Sequence, residues 1–261
     1  MKIHSSASVA EGAVLGENVE IGPFAVVGPD VVLGDGCLVG PHACILGHTT
    51  IGDGTEVHAG AVIGDTPQDV HYSGELSYVK IGRNCKIREY VTIHRGTEEG
   101  SCTVVGDNVM LMAFSHLGHN CMISDNVVVA NSSLLAGHVS VGERAFISGG
   151  CMFHQFVRVG RLAMVGGGNH ITQDVPPFCL LQDEAIQGSN VVGLRRAGFE
   201  NESREAVRSA IKIFFCYGQS RSDAVEQIKS EVAVTPEVQE FIDFVMTTKR
   251  GICQGHEIIH A

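Results

Sequence analysis

The sequence predicts a mainly β protein, a solenoid of short parallel strands with three strands to a coil, followed by a helical segment. Three observations carry this expectation. From Ile3 to Ile171, 26 of the 29 positions spaced by six are Ile, Leu, Val or Phe, a period that belongs neither to an amphipathic helix nor to a simple alternating strand. The residue two places before each of these is small or β-branched almost throughout, as at Ala7, Ala13, Ala25, Cys37, Ala61, Cys85, Ser115, Cys121 and Ala163. After Pro176 and Pro177 the six-residue frame stops and helical spacing replaces it.

The frame opens at Ile3 and continues through Val9, Leu15 and Ile21 to Ile63. Each unit turns one large and one small side chain inward, and glycine often follows the large one, as at Gly16, Gly22 and Gly34, which describes a short strand and then a turn. Three units make a triangular coil of eighteen residues, and such coils stack at the strand spacing of ~4.8 Å. The three exceptions, Asp69, Glu75 and Glu99, mark interruptions near residues 65–80 and 97–104. These read as loops thrown out from the prism, and long loops inside a strict repeat tend to be functional. Between the loops the frame resumes at Ile81, Ile87 and Ile93, and it is unbroken from Val105 to Ile171. Residues 1–176 are therefore expected to form the solenoid and 177–261 a C-terminal helical domain. Its helices are patterned on Ala206, Ala210, Ile211 and Phe214, on Ala224 and Ile228, and on Pro236, Val238, Phe241, Ile242 and Val245. Ile252 to Ala261 receive no assignment.

Composition fits this frame and limits function. Gly makes up 32 of 261 residues and Trp is absent, which suits tight turns rather than a large aromatic core. A formal net charge of -11 argues against nonspecific nucleic-acid binding, while leaving room for a local basic patch facing one acidic partner. No signal-peptide core opens the chain and no run of about 18 apolar residues occurs, so a cytoplasmic protein without stable membrane insertion is expected. The nine cysteines contain no CxxC pair and are odd in number, which reads as reduced and mostly buried thiols.

The eighteen-residue coil brings chemistry together. His119, Gly137 and Gln155 fall in one column, His138 and His154 lie one position off it, and His116 sits one turn earlier. An outward imidazole whose polar partners recur at the coil spacing is a candidate general base, because its ordinary pKa of about 6.5 lets it accept a proton at neutral pH. The Gly137 N–H, one coil away, is a candidate oxyanion donor. Cys121 occupies the inward small slot and reads as filler, and no serine sits in a nucleophile elbow, so direct transfer is expected over a covalent acyl-enzyme. His4, His42, His48 and His256 read as ordinary solvated side chains. Metal catalysis is the competing reading, since zinc needs three protein ligands and an open position. The H-x2-H of His116 and His119 differs, however, from the distant histidine and H-x4-H pair of γ-class carbonic anhydrases, and neither a metal nor another cofactor is expected. A purely structural solenoid is the remaining alternative.

Several stretches are longer than the bare repeat requires: Ile21-Gly22-Pro23-Phe24, Pro67-Gln68-Asp69, Thr92-Ile93-His94-Arg95-Gly96-Thr97, Ser115-His116-Leu117-Gly118-His119-Asn120-Cys121, Leu135-Ala136-Gly137-His138-Val139, His154-Gln155-Phe156, Gln173-Asp174-Val175-Pro176-Pro177 and Gly193-Leu194-Arg195-Arg196. Through them the whole chain resembles the UDP-N-acetylglucosamine O-acyltransferases of lipid A synthesis. The resemblance implies a left-handed β-helix, a homotrimer with its site between neighbouring prisms, and transfer of a 3-hydroxyacyl chain from acyl carrier protein to the sugar 3-position. It implies His119 as the base and Gly137 as the oxyanion donor. It further implies that Asp69, His116 and His138 position the sugar, that His94 contacts substrate, that Asn120 orients the base, and that His154 and Gln155 line the acyl and nucleotide side. Asn190 and Arg196 would meet the diphosphate and ribose, and Gly167 would leave the acyl groove open for a long chain. Asn120 stands where many members carry Asp, and His71 and Val192 stand where relatives often carry Lys and Glu. A 3-amino UDP-sugar acceptor, or a related solenoid N-acyltransferase, is the nearest alternative within this resemblance. The cations Arg195, Arg196, Arg204, Arg208 and Lys212 are a candidate docking surface for the acidic carrier protein.

Overall fold

The structure, a computed structural model, describes residues 1–216 and 219–255. His256 lies outside these residues, and the side chain of Cys216 is not described either. From Lys2–Ile3 to His170–Ile171 the chain alternates short strands and two-residue turns, most strands being two residues long. They form three parallel sheets of nine, nine and eight strands, in which each strand pairs with the strand three places on. This is a left-handed parallel β-helix of triangular section. Pairing runs at eighteen residues where the repeat is unbroken, as in Lys2↔Glu20 and His116↔Leu134. Across the two loops the register stretches to Val62↔Thr92 and Thr92↔His116 without losing the frame on either side.

The two inward positions of the repeat explain the prism. Leu33, Ile45, Ile63, Ile93, Leu117, Leu135 and Ile147 fill the interior and are at most 1% exposed, and Ala25, Ala43, Ala61, Cys85, Cys121 and Cys151 occupy the narrower space where sheets meet. Burying each large side chain contributes about 1.5–3 kcal/mol. At the corners the second turn residue takes positive φ, as at Asn84 (53°), Asn120 (60°) and Asn126 (59°), a conformation that asparagine tolerates better than most residues. One corner carries a ladder of carboxylates: Asp53 accepts from the Asp35 N–H, Asp107 from Arg83 and Asp125 from Asp107, so that each satisfies a backbone donor one coil away.

Beyond the last complete coil, Cys179–Gln182 adds a parallel strand beside Met164–Val165 and turns back into Ala185–Ser189 as an antiparallel hairpin. Sequence spacing gave no sign of this hairpin, because its strands are too short to show a period and follow no hexad. It pairs the exposed edge beside Met164–Val165 and brings that sheet to eleven strands. Among the described residues four helices follow: α1 (Val191–Arg196), α2 (Asn201–Cys216), α3 (Arg221–Glu231) and α4 (Pro236–Met246). Ser220 caps α3 by accepting from the Asp223 N–H, and Thr235 caps α4 by accepting from Val238, with Pro236 at the first helical position. Two arginines tie the helices to the prism. Arg158 donates to the buried Asp174, to the Phe244 carbonyl and to Thr247, while Arg161 grips Glu240 bidentately and lies over the Phe178 ring. Among the described residues no helix is long and apolar enough to cross a membrane.

Candidate active site

His119 sits at the corner that follows the strand His116–Leu117. The preceding residue must be small, since a Cβ on Gly118 would stand 2.9 Å from the backbone of Ala136 and Gly137 in the next coil. His119 is 6% exposed, and its Nδ1 lies 2.9 Å from Asn120 Oδ1. That oxygen also accepts from the Thr97 N–H (3.2 Å) and the Thr97 hydroxyl (3.0 Å), and Asn120 Nδ2 donates to Glu98 Oε2 at 3.2 Å. Three donors converging on one oxygen fix the carboxamide with its oxygen toward the ring. Nδ1 therefore carries the hydrogen of the neutral imidazole, and Nε2 presents its lone pair on the opposite side.

On that side the nearest groups are Asp69 Oδ2, 3.8 Å from Nε2, and Gly137. A Cβ on residue 137 would overlap the Nε2 and Cε1 atoms of His119, so glycine at this position makes room for the ring. No acceptor among the described residues takes the Gly137 N–H. A groove of about 290 Å³ opens here, lined by the polar side chains of Gln68, His94, His116, His119 and Gln155 and by the apolar Leu134 and Met152. It adjoins a second hollow on the same sheet face that is lined by His154, Gln155 and His170.

The surrounding histidines are held neutral. Burial, reinforced by His94 and His119, pushes the His116 imidazole down to about 4, and its Nδ1 sits 2.7 Å from the Thr92 hydroxyl. Burial also lowers His94, whose Nδ1 has no partner, and it lowers His138 with help from His119. His138 meets the His119 ring edge-on at 5.1 Å and stacks on Phe156 at 4.4 Å. Hydrogen bonds from the backbone and ring of His71 hold the Asp69 carboxyl below its ordinary range. Asp69 is thus the charge closest to Nε2. Burial pushes the Cys121 thiol up to about 12, and its Sγ donates to the Ala136 carbonyl at 3.2 Å, so this residue is no nucleophile.

Of the residues singled out from sequence, the fold gathers Asp69, His94, His116, His119, Asn120, Gly137, His138 and Gln155 around one edge, with His154 on the adjoining hollow. Three lie elsewhere. Gly167 stands at the opposite corner of the same sheet face, where a Cβ would meet only the Gly149 carbonyl oxygen (3.2 Å) and Ser148 Cβ (3.8 Å). Asn190 is committed to the fold: its Oδ1 accepts from the Gly193 N–H and its Nδ2 donates to the Leu162 carbonyl, capping α1. Arg196 is exposed in the last turn of that helix and lines no groove with His119. Sequence reasoning passed over Glu98, Thr103, Leu134 and Met152. Glu98 lies inside the second interruption and Leu134 and Met152 at outward positions of the repeat, whereas Thr103, which accepts from the Asn120 N–H at 2.8 Å, carries no signal of its own.

An eighteen-residue coil that carries an imidazole, a glycine N–H and a carboxamide up one edge defines the class, a hexapeptide-repeat transferase. The profile described as bacterial transferase hexapeptide (six repeats) matches residues 30–65 and 102–137, and that of domain 2 of UDP-N-acetylglucosamine O-acyltransferase matches residues 174–253. The acyl-[acyl-carrier-protein]–UDP-N-acetylglucosamine O-acyltransferase of Aquifex aeolicus is 55% identical over 260 residues, covering 98% of this chain and 100% of its own. The Sulfurihydrogenibium enzyme of the same name is 53% identical over 255 residues, 97% of this chain and 94% of its own. Among solved structures, the UDP-N-acetylglucosamine acyltransferase of Bacteroides fragilis superposes with a TM-score of 0.94 at 40% identity, covering 96% of this chain and 99% of that one. The Campylobacter jejuni enzyme gives 0.91 at 37%, covering 98% and 100%. The chain belongs to the UDP-N-acetylglucosamine O-acyltransferase family.

Proposed function

We propose that this protein moves a 3-hydroxyacyl group from acyl carrier protein to the 3-position of UDP-N-acetylglucosamine, the first step of lipid A biosynthesis, by direct general-base catalysis. One observation carries the mechanism: Asn120 holds His119 Nδ1, so that Nε2 faces the groove beside an unpartnered Gly137 N–H. His119 Nε2 takes the hydroxyl proton as the sugar oxygen attacks the thioester carbonyl, and the Gly137 N–H receives the oxyanion. The proton then passes to the departing thiolate. Neutral His94, His116 and His138 together with Asp69 position the sugar, Leu134 and Met152 face the acyl chain, and His154 and Gln155 extend the surface toward the nucleotide.

Because Arg196 lines no groove with His119 in one chain, a homotrimer with sites between neighbouring prisms is the arrangement that brings it to the diphosphate, where its donor fork suits phosphate. Asn190, used as a cap, acts there by orienting α1. Gly167 leaves its corner open to a long acyl chain. The cations of α1 and α2, Arg195, Arg196, Arg204, Arg208 and Lys212, dock the acidic carrier, and the reaction takes place in the cytoplasm.

The test is turnover by the purified protein with carrier thioesters of several chain lengths, offered UDP-N-acetylglucosamine or its 3-amino counterpart. Ester formation on the hydroxyl acceptor, insensitive to chelators, is expected. Transfer to the amino sugar alone, or loss of turnover with a chelator, contradicts the assignment.

A further inference from the structure

On the side of His119 away from the groove, behind the Asn120 amide, stands a carboxylate that takes no part in the proton transfer described so far. The residue in contact with Nδ1 is a neutral amide, and the negative charge lies one residue further back, at Glu98 in the second loop. Asn120 Nδ2 donates to Glu98 Oε2 at 3.2 Å and Asn120 Oδ1 accepts from the ring at 2.9 Å, so carboxylate, amide and imidazole form one chain. The loop is braced to keep it so. The Glu98 N–H donates to Ser101 Oγ at 3.0 Å, the Leu76 N–H donates to neighbouring Glu99 Oε2 at 2.9 Å, and both donors of Thr97 point into the amide oxygen. Glu98 itself is exposed to solvent. Burial is the largest single influence on its carboxyl and raises it, but the polar groups of Thr97, Ser101 and its own backbone gathered around it outweigh that and hold it below the ordinary carboxylate range, so it is ionised at neutral pH.

We propose that Glu98 is a positioning residue for this acyl transfer, supplying through the Asn120 carboxamide the negative charge that stabilises the His119 imidazolium as the sugar hydroxyl proton arrives on Nε2. The proposal rests on the assignment of His119 as the base. An amide whose N–H donates to an anion has a more negative oxygen, so the bond it accepts from Nδ1–H strengthens when the ring becomes a cation. The amide thus keeps the tautomer fixed and passes on the charge, two tasks that a directly bonded carboxylate performs alone. The other titratable groups facing this ring are Asp69 on the Nε2 side at 3.8 Å, and His94, His116 and His138, which burial holds neutral. Glu98 is therefore the carboxylate that acts on the Nδ1 side.

The charge can be removed without removing the bond. Glu98→Gln retains an acceptor for Asn120 Nδ2 and is expected to lower kcat on the order of tenfold with KM little changed, well short of the loss of about 10⁴ that follows neutralising a carboxylate bonded directly to a catalytic histidine. The acidic limb of the kcat/KM profile should move to lower pH by about half a unit to one unit. Asn120→Asp alone sets two carboxylates against each other and is expected to gain nothing. Combined with Glu98→Gln, the same substitution restores the charge at the ring, and the double variant should recover at least the wild-type rate. A Glu98→Gln enzyme with wild-type kcat and an unmoved acidic limb, or a double variant no faster than Glu98→Gln, overturns the proposal. His119→Ala, run alongside, separates the two claims: if it keeps its activity, the base assignment fails; if it is inactive while the Glu98 variants behave as wild type, only the role of Glu98 fails.

Discussion

Gly137→Ala tests the geometry of the site with a single methyl group. The first three atoms that a Cβ at this position would meet are Nε2, Cε1 and Cδ2 of His119, and the first two overlap it. The Gly137 backbone is not among the residues with positive φ, so alanine fits the local conformation and the conflict is confined to the imidazole. The ring must swing away, which strains its bond to Asn120, worth about 1 kcal/mol net, and moves Nε2 by something like an ångström. A displacement of that size costs about 10²-fold in rate, and crowding of the Gly137 N–H removes a further part of the 10²- to 10³-fold that one oxyanion donor typically supplies. The two losses share a cause and do not multiply fully. A fall in kcat of about 10³, equivalent to about 4 kcal/mol of transition-state stabilisation, is the expected outcome, with a loss of folding stability of no more than about 1–3 kcal/mol. Initial rates with saturating thioester and UDP-sugar measure the first, and thermal unfolding the second. A variant whose kcat stays within threefold of wild type would show that neither the ring nor the N–H stands where this mechanism needs it.

Three further outcomes follow from the same contacts. His116 has its folded-state pKa lowered to about 4 from an unfolded value of about 6.5, so between these values the unfolded chain binds more protons. Stability is full above pH 6.5 and falls by roughly 3 kcal/mol as pH drops toward 4; denaturant titrations across this window should show the slope, and His116→Gln should flatten it. Asp174 is 1% exposed and accepts from Arg158 and Thr248, so Asp174→Ala strands a partly buried cation and should cost about 3–5 kcal/mol, read from urea midpoints. Cys121, with its thiol pushed up to about 12, should resist alkylation at pH 8 in the native protein and react once the chain is unfolded, a contrast that peptide mass mapping resolves.

The prism and the column of His119, Gly137 and Gln155 were legible in the sequence because a solenoid makes spatial neighbours of residues at a fixed spacing. Counting by eighteen from His119 lands on the residues that line its groove. The same arithmetic says nothing about side chains delivered by loops. Asp69 reaches the imidazole, and Glu98 reaches the Asn120 amide on its other side, only because two insertions fold back over the edge, and Asp69 entered the reading through its motif while Glu98 did not enter at all. Asn190 shows the opposite limit. Its type and position suit a polar contact to a ligand, yet the start of a short helix uses both ends of the carboxamide. The hairpin of Cys179–Gln182 and Ala185–Ser189 was hidden for a different reason, since it is held by pairing to the last coil rather than by any period of its own.

The most direct measurement is the turnover number of His119→Ala, purified and shown by circular dichroism and light scattering to retain the fold and assembly of the wild type. A general base contributes about 10²- to 10⁴-fold, so kcat should fall by that factor while the UDP-sugar still binds. A folded His119→Ala protein that transfers the acyl chain at the wild-type rate would contradict the account at its centre.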